Sequence, residues 1–172
     1  MTAGEFLALG ETGERYELID GVVVMSPTPK PRHQEVLQLI QEQAGAWRRT
    51  SPGAMVLPDL TLKLADDLVY EPDLAIYAPG VLKDLTEYPD VPPRLIIEIL
   101  SPGTKSTDLF TKRDDYQRFG VAEYWVIDPD TLKVRAWRRI GKDFVEQTVE
   151  GDTITATSIE GFALDLRELR PA

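Results

Sequence analysis

The 172-residue sequence contains no cysteine and only one histidine, His33. The missing thiols exclude disulfides, thiolate nucleophiles and cysteine-type zinc sites. A single histidine excludes a multi-histidine metal site and nearly all Ser-His or Cys-His catalysis. Any enzymatic chemistry would therefore come from carboxylates, lysine, hydroxyl groups and a metal ion.

The sequence also lacks a long apolar run and a basic N-terminal segment. No run approaches the ~20 residues that span a membrane. Residues 1–10 carry Glu5 and no basic start, so they do not have the form of a secretory signal. We therefore expect a cytoplasmic protein that does not associate with a membrane. The length fits one domain, residues 1–172.

Basic residues are scarce, since 19 Lys and Arg stand against 29 Asp and Glu, a net charge of −10. Binding to phosphates needs Lys and Arg to replace counterions, so this balance argues against a broad coat of nucleic acid. Residues 101–142 are different, with nine basic and six acidic residues. The charge pattern leaves room for one local phosphate site.

Hydrophobic periodicity and turn residues predict an α/β protein with a mixed central sheet flanked by helices. The Asp20-Gly21 pair predicts a hairpin, and the continuous apolar run at residues 94–100 predicts a central strand covered on both faces. Helices are predicted at residues 32–49 and 107–119. The other predictions are a loop at 78–93, a second hairpin of 132–139 and 143–149, a short helix at 165–169, and strands at 16–19, 22–25, 54–57, 61–64, 67–70, 73–77, 123–127 and 153–155.

The most unusual residue of the predicted central strand is Glu98, which stands between Ile97 and Ile99. Burying a carboxylate without a partner costs several kcal/mol or shifts its pKa. Glu98 therefore needs a cation, a metal ion or a hydrogen-bond donor. One interpretation is a functional site, and the other is a purely structural ion pair with an Arg or Lys.

A second candidate carboxylate is Asp73, which follows Pro72 at the start of a predicted strand. Two carboxylates from neighbouring strands form a hard-oxygen site that suits Mg²⁺ or Mn²⁺. Taken alone, a Pro-Asp dipeptide is also typical of a simple turn.

The predicted helix 107–119 carries Asp108, Lys112 and Tyr116 on one face, because they are spaced four residues apart. One interpretation is an exposed ion pair worth a few tenths of a kcal/mol. In the other interpretation, Lys112 points toward Glu98, where it would stabilise a water molecule or the negative charge that develops on a phosphate. His33 lies at the start of the first predicted helix and either caps it at the surface or lines the site.

Pro72-Asp73, followed twenty-five residues later by Glu98, resembles the first part of the PD-(D/E)XK nuclease signature. The signature has lysine two residues after the glutamate, where this chain has Leu100. Within that superfamily the chain is similar to the bacterial Uma-two restriction endonucleases, long described as a domain of unknown function. The similarity covers about residues 11–169 and rests on Tyr16-Glu17-Leu18-Ile19-Asp20-Gly21, His33 after a proline-rich loop, Glu71-Pro72-Asp73, Glu98-Ile99-Leu100-Ser101-Pro102, Asp108, Lys112, Tyr116, the segment from Gly120 to Pro129, and Gly161-Phe162.

The resemblance implies a restriction-endonuclease-like core with added β-hairpins and a metal site for Mg²⁺ or Mn²⁺ made by Asp73 and Glu98. It also implies that the catalytic lysine has moved to the following helix, at Lys112. The implied supporting residues are Glu17, His33, Asp108 and Tyr116. The implied activity is metal-dependent hydrolysis of phosphodiester bonds. The implied binding partner is DNA, or a partner that delivers the DNA to the site.

The same resemblance suggests a homodimer, since nucleases that cut both strands are often symmetric pairs and two-fold assemblies are the commonest. Two other functions stay open: a non-cleaving binding or assembly module that keeps the fold, and a small-molecule hydrolase that uses the same metal. A possible nucleic-acid surface is the basic, aromatic face of one strand, although such a pattern is more often a solvated outer face; its residues are Lys133, Arg135, Trp137 and Arg139.

Overall fold

The structure, a computed structural model, describes residues 1–10, 14–83, 88–101, 103 and 107–171. Residues 11–13 at the start of the predicted core, residues 84–87 of the predicted loop, and Pro102 lie outside the described residues. In chain order the elements are α1 (Ala3–Leu7), β1 (Tyr16–Ile19), β2 (Val22–Met25), α2 (Pro31–Thr50), β3 (Met55–Pro58), β4 (Leu62–Ala65), β5 (Leu68–Tyr70), β6 (Leu74–Tyr77), β7 (Leu95–Ile99), a π-helical segment (Thr107–Lys112), α3 (Arg113–Phe119), β8 (Glu123–Ile127), β9 (Val134–Ile140), β10 (Asp143–Gln147), β11 (Thr153–Thr155), β12 (Ala163–Asp165) and a 3₁₀ helix (Leu166–Leu169).

The largest sheet has six strands in the order β10-β9-β8-β7-β6-β3. Strands β7 and β8 are parallel and the other neighbours are antiparallel, so the sheet is mixed. All five residues of β7 are buried, with Leu95, Ile97 and Ile99 on the side of α2 and Ile96 on the side of α3. The predicted α/β class and the predicted central strand are therefore confirmed.

A second sheet, ordered β2-β1-β5-β4, lies beside the first. The hairpin β1–β2 turns at Asp20 and Gly21, which have φ values of 50° and 75°. This two-residue turn needs positive φ at both positions, which is why an Asp-Gly pair forms it. The hairpin matters for the site because β1 places Glu17 against the end of the π-helical segment, at Lys112.

Helix α2 begins at Pro31, a residue that a helix tolerates in its first turn because the missing N–H has no helical partner there. Its buried stripe packs on one face of the six-stranded sheet and consists of Val36, Ile40, Ala44 and Trp47. The predicted helix 107–119 is π-helical over Thr107–Lys112 and α-helical from Arg113. Gly120 ends it with φ at 101°.

Two short elements were not predicted from the sequence. Helix α1 has only five residues and is held by a capping box between Thr2 and Glu5, while β12 has three residues and pairs with β11. Both are too short for a periodic signal, so tertiary contacts decide them. The second hairpin is also shorter than predicted, spanning 134–140 and 143–147. No helix in the described part of the chain is long and apolar enough to cross a membrane.

Candidate active site

Glu98 lies on the α3 side of the central strand β7 and is only 3% exposed. Its Oε1 atom accepts hydrogen bonds from Lys112 Nζ at 3.0 Å and from Tyr116 Oη at 3.1 Å. Its Oε2 atom accepts a bond from the backbone N–H of Asp73 at 3.3 Å. Burial raises the pKa of Glu98 to about 8; Lys112 opposes that shift, while the carboxylates of Asp73 and Asp108 add to it.

Lys112 ends the π-helical segment and is buried among carboxylates. Its Nζ atom lies 2.9 Å from Glu17 Oε1, 3.0 Å from Glu98 Oε1 and 3.8 Å from Asp108 Oδ1. It also stands 5.2 Å from the centroid of the Tyr70 ring. Although burial acts to lower it, the surrounding carboxylates hold the pKa of Lys112 well above its ordinary value. Lys112 is therefore a permanently charged donor at neutral pH and not a proton acceptor.

Asp73 immediately precedes β6 and reaches across to the neighbouring strand β7. Its Oδ2 atom accepts the backbone N–H of Ile99 at 2.8 Å and lies 3.2 Å from His33 Nε2. Its Oδ1 atom lies 3.5 Å from a guanidinium nitrogen of Arg15. Burial acts to raise the pKa of Asp73, but the contacts with His33, Ile99 and Arg15 lower it below its ordinary value. Asp73 therefore stays ionised at neutral pH, and the pKa values of Asp73 and Glu98 are shifted in opposite directions.

Arg15 is a site residue that sequence reasoning missed. Besides Asp73, its guanidinium contacts Asp59 at 3.4 Å and the carboxylate of Glu71 at 3.7 Å, and it donates to the backbone carbonyl of Glu71 at 2.7 Å. The one signal available was its position two residues before Glu17, a spacing that puts both side chains on the same side of an extended chain.

The structure brings all the predicted supporting residues together. Glu17 Oε1 accepts the backbone N–H of Glu71 at 3.1 Å as well as contacting Lys112. Asp108 is 2% exposed, and His33 is 7% exposed at the first turn of α2. Within the described residues, the Nδ1 atom of His33 is buried without a hydrogen-bond partner. The helix face predicted at four-residue spacing thus points into the protein, against Glu98, and not into solvent.

A second buried carboxylate shows what a purely structural role looks like. Glu123 begins β8, next to β7, and is also 3% exposed. It accepts hydrogen bonds from Thr157 N, Thr157 Oγ1 and Ser158 N and borders none of the cations of the Glu98 cluster. Glu98 differs because it shares its surroundings with a lysine and three other carboxylates, those of Glu17, Asp73 and Asp108.

The β-strand predicted to bind nucleic acid does not present an exposed aromatic ring, which stacking on a base would require. Trp137 is buried and stacks on Tyr124 with ring centroids 5.7 Å apart. Arg135 forms a two-point ion pair with Glu146 at 2.8 and 3.0 Å and lies over the Trp137 ring, while Arg139 donates to the carbonyl of Gln117. Lys133 precedes β9. Nucleic-acid binding by this face stays a prediction, and Trp137 is not open to stacking with a base.

A cavity of about 30 Å³ lies at the centre of the cluster, lined by Asp73, Glu98 and Lys112 together with Arg15, Glu17, His33 and Asp108. Such a volume holds about one or two water-sized particles. Among the described residues, no group of three or more His, Asp or Glu side chains is arranged to hold a metal ion. Mg²⁺, however, commonly uses one or two carboxylates and takes its other ligands from water and substrate phosphate. The oxygen donors of Asp73 and Glu98 fit that pattern.

The comparisons with known proteins place the chain in a family. The family model described as "Uma2: Putative restriction endonuclease" matches residues 3–167. The chain therefore belongs to the Uma2 restriction-endonuclease family, and the resemblance seen in the sequence is confirmed.

Among solved structures, the chain is similar to a crystal structure described as a "putative nuclease belonging to DUF820" from Anabaena variabilis. The TM-score is 0.80 at 21% sequence identity, over 98% of this chain and 97% of that chain. The two proteins share the fold over almost their whole length. No curated protein matches the chain.

Proposed function

We propose that this protein is a metal-dependent nuclease in which Lys112 takes the place of the lysine that the signature has two residues after the glutamate. The observation that carries the proposal is the 3.0 Å bond from Lys112 Nζ to Glu98 Oε1 beside Asp73 and a cavity of about 30 Å³. The lysine comes from the helix after β7 and still reaches the same carboxylate. Membership of a nuclease family supports nucleic acid as the substrate.

Asp73 and Glu98 would hold a Mg²⁺ or Mn²⁺ ion, which supplies Lewis-acid polarisation of the scissile phosphate and lowers the pKa of an attacking water. The side chains have distinct tasks. Asp73 is kept ionised by His33 and Arg15, so it is a ready ligand. Glu98 is oriented by Tyr116 and by the backbone N–H of Asp73.

Lys112 has a raised pKa and therefore remains charged through the reaction. Its role is electrostatic: it donates a hydrogen bond to the attacking water or to a phosphate oxygen as negative charge develops there. Removing one such donor typically costs about 100- to 1,000-fold in rate. Glu17, on the other side of Nζ, fixes the lysine in place.

One observation favours the second candidate function, a binding or assembly module that does not cleave. Arg15 and Lys112 already neutralise much of the carboxylate cluster, because each makes ion pairs with more than one acid. A scaffold could keep such a network for stability alone. The two functions differ in whether Asp73 and Glu98 bind a divalent ion.

The test is cleavage of single- and double-stranded DNA and RNA with Mg²⁺, Mn²⁺ or EDTA, together with calorimetric titration of the metal ion. We expect metal-dependent cleavage that Glu98→Gln reduces by more than about 100-fold. The matched control is Glu123→Gln, which alters an equally buried carboxylate on the neighbouring strand and should leave cleavage unchanged. Nucleic-acid binding without cleavage or metal uptake would identify the module, and cleavage of a small phosphodiester alone would identify a small-molecule hydrolase.

A further inference from the structure

Strand β2 is an outer strand with an unusual surface. It reads Val22-Val23-Val24-Met25, and all four side chains are exposed, by 61%, 38%, 40% and 60%. On an ordinary outer strand one face packs on the core and the other is polar. Here both faces are apolar and both are open.

The other outer strands of the two larger sheets carry the features by which proteins prevent edge-to-edge pairing. Strand β10 bears Asp143 and Glu146, and β3 is partly buried and ends at Pro58. Strand β4 bears Lys63, whose backbone N–H is occupied by the carbonyl of Pro89 at 3.2 Å. Among the outer strands of these two sheets in the described part of the chain, β2 alone has no charged residue, no proline and no covering segment.

The hydrogen-bonding pattern shows which groups β2 presents outward. The two-residue turn makes Ile19 and Val22 a hydrogen-bonded pair, and such pairs recur at every second residue. The bond from Ser26 N to Arg15 O, at 2.9 Å, continues the same alternation. The backbone N–H and C=O groups of Val23 and Met25 therefore point away from β1, toward the open edge.

We propose that β2 pairs antiparallel with β2 of a second copy of this chain, around a two-fold axis at Val24. In this register Val23 exchanges two backbone hydrogen bonds with Met25 of the second copy, and Met25 does the same with Val23 of that copy. Val24 lies opposite its own equivalent and Val22 lies opposite Ser26. The side chains on the pairing strands are uncharged, so two molecules of net charge −10 meet there without opposing carboxylates.

The neighbouring registers are poorer for reasons visible in the structure. An axis at Val23 would need the outward groups of Gly21, but Gly21 N already donates to Asp67 O at 2.8 Å and Gly21 O accepts from the Met1 ammonium group at 2.8 Å. An axis at Met25 would place Val23 opposite Pro27, which has no N–H. The axis at Val24 is the one that uses every outward group.

This pairing joins two four-stranded sheets into one eight-stranded sheet. Glu17 is directly opposite Val24 on β1, so the two share a sheet face. Across the axis, Glu17 of each copy would be three strand spacings apart, roughly 14 Å between Cα atoms. A two-fold axis perpendicular to the sheet keeps both on the same side. Granting the proposed nuclease function, the two active sites would then face one substrate.

The contact is small, because it joins one four-residue strand from each copy. Interfaces at the low end of the size range are weak and transient. We therefore expect a dimer that forms as the protein concentration rises. We assign the partner strand to a second copy of this chain because β2 is complementary to itself in hydrogen bonding, apolarity and charge.

Disulfide trapping tests the register, and the natural absence of cysteine makes it specific. Residues opposite each other in a non-hydrogen-bonded pair have Cα atoms about 4.5 Å apart, within disulfide range. Val24→Cys should crosslink to its own equivalent under mild oxidation. Val145→Cys, on the outer strand β10 and 44% exposed, is the matched control and should not. Val22→Cys should crosslink only when Ser26→Cys is added.

Sedimentation of the cysteine-free chain at increasing concentration gives an independent measurement. We expect a monomer–dimer equilibrium that Val23→Lys abolishes and Val145→Lys leaves unchanged, with circular dichroism confirming that both variants fold. Equal crosslinking of Val24→Cys and Val145→Cys, or a monomer at every concentration, would overturn the proposal. Neither readout involves cleavage, so failure here is separate from failure of the nuclease function.

Discussion

Lys112 Nζ and Glu98 Oε1 are 3.0 Å apart, although one lies on a π-helical segment and the other in the middle of the central strand. Both side chains are almost completely buried. π-helical turns are rare and are often found at functional sites. Here the turn ends at Lys112, so it determines where the ammonium group meets the carboxylate.

Replacing Lys112 by methionine should destabilise the fold as well as reduce the proposed activity by about 100- to 1,000-fold. The change leaves Glu98 and Glu17 buried without their shared cation, and breaking a buried ion pair from one side typically costs about 3–5 kcal/mol. Urea unfolding measures the change in the free energy of unfolding. The control is Lys142→Met, an exposed lysine in the turn before β10, for which a cost near zero is expected. Equal stability of the two variants would contradict a buried ion pair.

The double variant Lys112→Met with Glu98→Gln should be less destabilised than the sum of the two single variants. The second change removes the carboxylate that the first leaves unpaired. Contacting residues usually show interaction energies of about 0.5–3 kcal/mol, and a value in this range is expected here. A double-mutant cycle in urea provides the measurement, and strictly additive effects would show that the two side chains do not interact.

The stability of the metal-free protein should fall as the pH rises from about 4.5 to about 8. Folding raises the pKa of Glu98 from 4.5 to about 8, mainly through burial, so the native state holds a proton that the unfolded state has lost over this interval. Stability therefore decreases with pH wherever the native state binds more protons. Urea unfolding in EDTA at several pH values tests this, and Glu98→Gln should flatten the dependence. A dependence of the same slope in that variant would assign it to other groups.

Replacing Asp73 by asparagine should remove metal binding with a moderate effect on stability. Asparagine keeps an oxygen that accepts the Ile99 N–H, but it loses the charge that binds a cation. The loss of charge-assisted contacts with His33 and Arg15 should cost about 1–3 kcal/mol. Calorimetric titration with Mn²⁺ measures the affinity, with the exposed Asp130→Asn as the control. Unchanged Mn²⁺ binding in Asp73→Asn would place the metal site elsewhere.

Replacing Arg15 by glutamine should strengthen the binding of a divalent cation. Its guanidinium lies 3.5 Å from Asp73 Oδ1 and therefore repels a cation that binds there. Because Arg15 is partly exposed, the Coulombic effect is screened, and a three- to tenfold gain in Mn²⁺ affinity is a reasonable expectation. Arg49→Gln on the exposed end of α2 controls for net charge. Weaker Mn²⁺ binding in Arg15→Gln would mean that the arginine organises Asp73 and does not compete with the metal.

Local patterns in the sequence were sufficient for much of the fold. The apolar run around Glu98 predicted the central strand, the Asp20-Gly21 pair predicted the hairpin, and four-residue spacing placed Asp108 and Lys112 on one helix face. These signals depend on neighbouring residues only. Helix α1 and strand β12, with five and three residues, are too short to produce such a signal.

Tertiary structure decided which distant residues meet, because sheet order and strand register are not encoded in any one segment. Glu123 pairs with Leu95 of β7, 28 residues earlier in the chain, and β1 pairs with β5; neither pairing can be read from periodicity. That arrangement makes Glu123 a structural carboxylate, buries Trp137, and brings Arg15 to Asp73. The sequence by itself determined that Glu98 needs a cation, a metal ion or a hydrogen-bond donor, since a buried carboxylate is costly. Only the folded chain decided that Lys112 and Tyr116 meet Glu98 and that His33 and Arg15 meet Asp73.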